Sequence, residues 1–232
     1  MLLAIDTSTR YAGVALVNQE GQLVQLIQWR SQQNHSVELL PTIDAVLKRE
    51  QITVKDVTAI AVALGPGSFS ALRVGLSVAK GLAWANGLPM VSATTLEAEA
   101  LAYASSGMPT CAVLDAGRGQ LLWALFQNDD GQLRKAGGED IATPEELLQR
   151  LPAPVLICGE AVEKYGEALA KVAPRGVRLA TPYLPGQRVA ALANMGYARL
   201  KASQTQDPAA IQPLYLRRPT ITEPKSRVAG AS

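Results

Sequence analysis

At 232 residues the chain fits one large or two small domains, and 48% hydrophobic but only 5% aromatic residues describe a small-residue interior suited to closely packed helices. A net charge of +2 excludes a strong field for nucleic acid or acidic lipid, so any RNA bound would take most of its phosphate contacts from elsewhere. Cys111 and Cys158 sit in apolar, strand-like runs and read as buried thiols of a reducing compartment; no apolar stretch reaches the roughly 20 residues of a membrane span, Met1 to Asp6 lacks the basic start of a signal peptide, and a cytoplasmic protein is expected.

Residues 2–6 form the first predicted strand, ending in the turn-forming Asp6-Thr7-Ser8-Thr9. Strands follow at 11–17 and 22–29, joined through Asn18-Gln-Glu-Gly21. A helix over 36–50 carries Val37, Leu40, Ile43 and Leu47 at helical spacing, with Leu39 and Val46 widening its apolar arc and Pro41 near its start. Residues 57–64 are an unbroken apolar run, as expected of a strand buried on both faces. Gly65-Pro66-Gly67 stops it, and Ser68 is a natural N-cap for the helix over 69–85. That helix has one stripe of Phe69, Leu72, Leu76, Ala79 and Ala83, and another of Ala71, Gly75, Val78 and Leu82. Only Arg73, Ser77 and Lys80 interrupt the apolar surface, so it needs cover nearly all round, from its own sheet and from a second partner. A short strand at 89–93 and a helix from Thr94 or Thr95 to about 104 close the first half.

Ser105-Ser-Gly-Met-Pro109 is the expected boundary, dividing the chain into domains 1–104 and 105–232. Strands are expected at 110–115, 121–127 and 132–135, then a helix opened by Thr143-Pro144-Glu145-Glu146, a strand at 155–158, a helix at 160–172, a strand at 177–180 and a helix over 187–202. The element order repeats that of the first half. Residues do too: Asp6 falls on Asp115 and Ala15-Leu16 on Ala124-Leu125, at a constant offset of 109. Two copies of a βββαβαβα unit facing each other make a cleft with the two aspartates at matching strand ends. That arrangement resembles the duplicated ribonuclease-H-like fold of actin-like, sugar-kinase and Hsp70-type ATPases (the ASKHA fold), which implies phosphate held between paired aspartate turns.

Each motif has a functional and a structural reading. Asp6, Thr7 and Ser8 can offer hydroxyls and backbone N–H groups to phosphate, or simply cap a strand-end turn; Asp115 and Gly117 are the second copy of the same idea. Gly65, Gly67 and Ser68 can form an anion nest, or let a strand turn sharply into a helix. The stretch lacks the third glycine and following acid of a dinucleotide fingerprint, and no GK[ST] phosphate loop exists. Ile157-Cys-Gly159-Glu-Ala161 is a thin candidate for an adenosine loop, so any nucleotide site reads as degenerate. His35, the only histidine, excludes zinc sites needing two and reads as a capping or interface residue. Pro213 to Arg217 is an amphipathic strap, and residues 220–232 have the composition of disorder.

Asp6-Thr7-Ser8, His35 to Pro41, Gly65 to Gly75, Asp115 to Gly119 and Pro213 to Arg217 together resemble the TsaB (YeaZ) family of the tRNA threonylcarbamoyladenosine machinery, with Ser70 and Ala71 departing from its usual Thr-Gly. The resemblance implies a non-catalytic subunit that supports the catalytic TsaD, with the ATPase TsaE in the assembled complex and tRNA met only through that complex. It also implies no metal: Thr95 and Glu99 stand where TsaD carries a histidine pair. No cofactor is expected beyond weak residual nucleotide binding. The partner face, for TsaD or for a second copy in a homodimer, is assigned to His35, Leu39, Leu40, Ile43, Leu72, Arg73, Gly75, Leu76 and Ala79, with Leu39 and Leu76 as anchors and Gly75 and Ala79 admitting a close helix. The competing reading is a free-standing actin-like small-molecule kinase, which needs an intact adenosine loop and a catalytic base.

Overall fold

In the computed structural model, residues 1–32, 34–129 and 132–215 are described. The first half runs β1 (Leu2–Asp6), β2 (Tyr11–Val17), β3 (Leu23–Arg30), α1 (His35–Arg49), β4 (Ala59–Ala63), α2 (Phe69–Asn86), β5 (Met90–Ala93) and α3 (Thr95–Leu101). The second runs β6 (Thr110–Gly117), β7 (Gln120–Asp129), β8 (Gln132–Ala142), α4 (Pro144–Arg150), β9 (Val155–Cys158), α5 (Ala161–Val172), β10 (Val177–Leu179) and α6 (Pro185–Lys201). The two five-stranded sheets have the same order, β3-β2-β1-β4-β5 and β8-β7-β6-β9-β10. In each, the first strand pairs antiparallel with the second and parallel with the fourth. The duplicated α/β architecture expected from the sequence is the one observed.

Packing does not respect the boundary between the copies. On one face of the first sheet, α1 and α2 cover Leu3, Ile5, Val14, Leu16, Ile60 and Val62. Its other face is covered by α6, from the second half, through Val189, Leu192 and Ala193. That face is built of Ala4, Ala15, Ala59, Ala61 and Ala63, which lets the helix come close: a Cβ on Gly196 would lie 2.5 Å from that of Ala61. Reciprocally, α3 from the first half lays Leu96 and Ala100 on Ala112, Leu114, Leu122, Ala124 and Phe126 of the second sheet. The low aromatic content is thus used where helices and sheets approach most closely.

Several boundaries move, three of them for a clear physical reason. Strand β8 continues to Ala142, because Gly137 and Gly138 accommodate register shifts rather than ending the strand. Gly138 has φ +74° and lies against the Trp123 ring, where a Cβ would come within 2.6 Å. Helix α3 stops at Leu101, its start fixed by a capping box between Thr94 and Glu97. Helix α6 begins at Pro185, a favourable first helical position. Among the described residues no helix is long and apolar enough to cross a membrane.

Candidate functional site

Two of the motifs, the Asp6-Thr7-Ser8 turn and the Gly65 to Gly75 stretch, pack against each other. At the end of β1, Asp6 Oδ1 accepts from the Ser8 N–H at 2.8 Å and the Ser8 hydroxyl at 2.6 Å. The Thr7 hydroxyl donates to the Ala71 carbonyl on α2 at 2.6 Å. Asp6, Thr7 and Ser8 are all buried, so these hydroxyls are spent inside the protein rather than offered to a ligand. The Gly-Pro-Gly-Ser loop closes over the same turn: Ser68 N–H donates to the Ser8 carbonyl at 2.7 Å. A Cβ on Gly67 would sit 2.0 Å from that carbonyl oxygen, and one on Gly75 would sit 2.2 Å from the Thr7 hydroxyl. Both glycines are there because backbones and side chains meet at contact distance.

The sequence reading missed the group at the centre. Arg188, near the start of α6, is the largest fully buried side chain among the described residues, at 0% exposure. Its Nε donates to Asp6 Oδ2 at 2.7 Å. Nη1 donates to Glu99 Oε1 at 3.0 Å and to the Tyr183 oxygen at 3.1 Å, with Glu160 Oε2 3.5 Å away. Nη2 donates to Thr9 Oγ1 at 3.0 Å and to the Tyr11 carbonyl at 2.5 Å. Tyr183 also donates to Glu99 at 2.8 Å. Burial works against the guanidinium charge, but Asp6, Tyr183, Glu99 and Glu160 outweigh it and hold the Arg188 pKa well above its usual value. Burial pushes the Glu99 carboxyl upward, against the pull of Arg188 and Tyr183. An outer layer adds Arg10 to Glu160 at 3.1 Å and to Glu163 at 2.7 Å, and Tyr11 Oη to Glu163 at 2.9 Å. The only sequence signal was position: Arg188 lies four residues before Leu192 on the buried arc of α6.

Asp115, the repeat counterpart of Asp6, has a different environment. It is exposed, receives Gly117 N–H at 2.9 Å and Tyr165 Oη–H at 3.0 Å on Oδ1, and pairs with Lys164 at 2.8 Å on Oδ2. Partial burial pushes its pKa up, but the hydrogen bonds from Lys164, Gly117 and Tyr165 together leave it below the usual carboxylate range. The thin adenosine-loop candidate has a packing explanation: Gly159 has φ +104°, and a Cβ there would lie 2.4 Å from the Val113 carbonyl.

The fold implies a nucleotide with its metal, and the residues at Asp6 do not fit one. Both Asp6 oxygens, the Thr7 and Ser8 hydroxyls and the Glu99 carboxylate already have partners in the chain. Thr95, whose buried hydroxyl has no hydrogen-bond partner among the described residues, adds only a weak neutral ligand.

Most of the residues expected at the partner face lie inside this chain. Leu39, Ile43, Leu72, Gly75, Leu76 and Ala79 are buried within this chain, because α1 and α2 turn that arc onto the first sheet. His35 is also buried, and Asn34 is the N-cap; with the carbonyl as acceptor, Nε2–H donates to Thr9 O at 3.0 Å, leaving Nδ1 to accept from Ser31 at 3.4 Å. Of the nine residues assigned, Leu40 and Arg73 are exposed. The apolar side chains that α1 and α2 do present are Val37 (59% exposed), Leu40 (52%) and Trp84 (61%), with Val74, Val78 and Leu82 half-buried. Beside them the C-terminal strap docks on the start of α2. Leu214 N–H donates to Leu64 O at 2.7 Å, and the Tyr215 ring lies 4.8 Å from that of Phe69. Arg73 stacks over Phe69 at 3.9 Å and donates to Tyr215 Oη at 3.3 Å. Leu216, Arg217 and the expected disordered tail lie outside the described residues.

Two matching sheets, each flanked by its own two helices and one borrowed helix, define a two-lobed protein of the actin-like, ribonuclease-H-like class with a cross-linked cleft. A family model described as "TsaD: tRNA N6-adenosine threonylcarbamoyltransferase" matches residues 29–221. The "tRNA threonylcarbamoyladenosine biosynthesis protein TsaB" of Bacillus subtilis (strain 168) is 29% identical over 93% of both chains. The protein of the same name from Haemophilus influenzae is 31% identical over 65% of this chain and 67% of its own length. The solved structure "YeaZ from Pseudomonas aeruginosa" superposes with a TM-score of 0.75 at 29% identity, covering 93% of this chain and 99% of that one. The chain belongs to this TsaD-type family and, within it, to the TsaB (YeaZ) group.

Proposed function

We propose that the chain acts in synthesis of N6-threonylcarbamoyladenosine in tRNA, as a non-catalytic subunit that binds and supports TsaD. The observation that carries the partner-binding role is the apolar surface left on α1 and α2 after both helices have packed on their own sheet. Val37 and Leu40 of α1 stand more than half exposed and Val74, Val78 and Leu82 of α2 stay half-buried, so three of the six large apolar side chains exposed among the described residues (Val37, Leu40 and Trp84) fall on these two packed helices. The non-catalytic role is supported by the commitment of the Asp6, Thr7, Ser8 and Glu99 side chains to internal partners. In this reading TsaE joins the assembled cytoplasmic complex, tRNA is met only through it, and the lone subunit covers the same face with a second copy.

The test is capture of purified TsaD by wild type, by Leu40→Glu and Val78→Glu, and by Val172→Glu. Val172 is an exposed apolar residue of α5 and serves as control. The two face variants should lose at least about tenfold in affinity, or 1.4 kcal/mol, as expected when a charge replaces an apolar anchor. Sedimentation of the same proteins alone should show weaker self-association. Full TsaD capture by both folded face variants would remove α1 and α2 from the interface.

A further inference from the structure

Asp6, Thr9, Tyr11 and Glu99 belong to the first copy of the repeat, and Glu160, Tyr183 and Arg188 to the second. One guanidinium joins them. All five of its N–H donors face oxygens within 3.5 Å, drawn from four separate chain segments (residues 6–11, Glu99, Glu160 and Tyr183), and none of the side chain reaches solvent. A guanidinium stays charged at any ordinary pH, so the site always contains a cation. The carboxylates around it are those a phosphate-bound metal would need free at the end of β1.

We propose that the Arg188 guanidinium is a built-in cation of the cleft, filling the place at Asp6 and Glu99 that a nucleotide-bound metal would require and holding the two lobes in one closed arrangement whether or not nucleotide is present. Loops and lobes that close on a ligand do so because the ligand supplies differential contacts to the closed state. Here the contacts come from the chain. The outer pairs of Arg10 with Glu160 and Glu163, and of Tyr11 with Glu163, tie the same β1–β2 turn to the start of α5. The proposal shares with the non-catalytic reading the commitment of Asp6 and Glu99 to Arg188, but not the α1–α2 face on which TsaD binding rests.

The experiment uses the full chain. Wild type is heated with and without millimolar Mg-ATP, and its small-angle scattering is recorded in both; neither the melting temperature nor the radius of gyration should change. Arg188→Gly is then heated with about 10 mM guanidinium chloride, far below the denaturing range, or with sodium chloride of equal strength. Guanidinium entering the vacated site should raise the melting temperature by about 5 °C in this variant alone. If Arg188→Gly does not fold, the triple variant Asp6→Asn, Glu99→Gln, Arg188→Met, with no buried charge, takes its place in hydrogen exchange. It should show at least about tenfold faster exchange than wild type in residues 9–11 and 160–165, as expected if opening becomes easier. A wild-type response to Mg-ATP, a folded Arg188→Gly that guanidinium fails to rescue selectively, or unchanged exchange in the triple variant would each overturn the proposal.

Discussion

Asp6 and Asp115 come from equivalent points of a duplicated unit, 109 residues apart, the first at the end of the central strand β1 and the second two residues before the end of β6. Each carboxylate accepts a backbone N–H two residues on, from Ser8 and from Gly117, at 2.8 and 2.9 Å. There the likeness ends. Asp6 is fully buried against a fully buried arginine, whereas Asp115 pairs directly with Lys164 at the solvent-exposed surface. The difference follows from the helix exchange. Helix α6 reaches across to the first sheet and carries Arg188 to the end of β1; α3 reaches the second sheet with Leu96 and Ala100 and leaves Asp115 to local partners. Identical local geometry thus acquires a structural core role in one copy and a surface role in the other.

The largest expected effect breaks that comparison directly. Asp6→Ala leaves the Arg188 charge short of its best partner inside the protein and should cost about 3–5 kcal/mol. Asp115→Ala removes an exposed pair and should cost under about 1 kcal/mol. Paired urea unfolding curves measure both. Similar costs at the two positions would mean that burial does not separate them.

The halves were legible because strands and helices announce themselves locally. The apolar run at 57–64, the capping sequence Thr143-Pro144-Glu145-Glu146 and the Asp6/Asp115 match each need only a short window. The centre of the cleft was not legible, because Arg188 meets Asp6 and Glu99 only after α6 has crossed to the other sheet, 182 and 89 residues away in sequence. In the window Gln187-Arg-Val-Ala-Ala-Leu192, an arginine reads as the polar edge of an amphipathic helix. Which arc of α1 and α2 lies inside the chain was not legible for a related reason. A helix apolar on two sides shows that both are covered, but not which side faces its own sheet; Gly75 and Leu76 turned out to be on the inner one.

A second set of substitutions sharpens the comparison at one glycine beside each aspartate turn, Gly67 packed over the first through space and Gly117 within the second. Gly67 has an ordinary φ but no room, its Cβ position lying 2.0 Å from the Ser8 carbonyl oxygen. Gly117 has φ +72° and open space. Gly67→Ala should therefore cost about 1–3 kcal/mol through overpacking against backbone. At Gly117 the cost is purely conformational, roughly 1 kcal/mol for alanine, and it should shrink when asparagine, which tolerates the left-handed region, replaces alanine. Chemical denaturation of Gly67→Ala, Gly67→Asn, Gly117→Ala and Gly117→Asn reads this out. Rescue by asparagine at both sites would contradict the assignment of the first to close packing.

The smallest effect concerns pH, and its sign follows from the direction of the Asp115 shift. Its folded pKa lies below the ordinary carboxylate value, with the bonds from Lys164, Gly117 and Tyr165 outweighing the opposing effect of partial burial. The folded state therefore holds the proton less tightly than the unfolded chain does. The resulting stability is fully present above the unfolded value of about 3.9 and is lost as pH falls through the depressed folded pKa. Because the pair is exposed and screened by water, the contribution should stay under about 1 kcal/mol and shrink further at high salt. Asp115→Asn keeps the shape and removes the titration. Its unfolding free energy should lie slightly below wild type at pH 7 and converge on it as the pH approaches 3, with the gap narrower in 1 M salt. The comparison is made by urea denaturation at matched ionic strength. A gap that widens on acidification would reverse the sign of the Asp115 shift and with it the view that this aspartate is held ionised by its local partners.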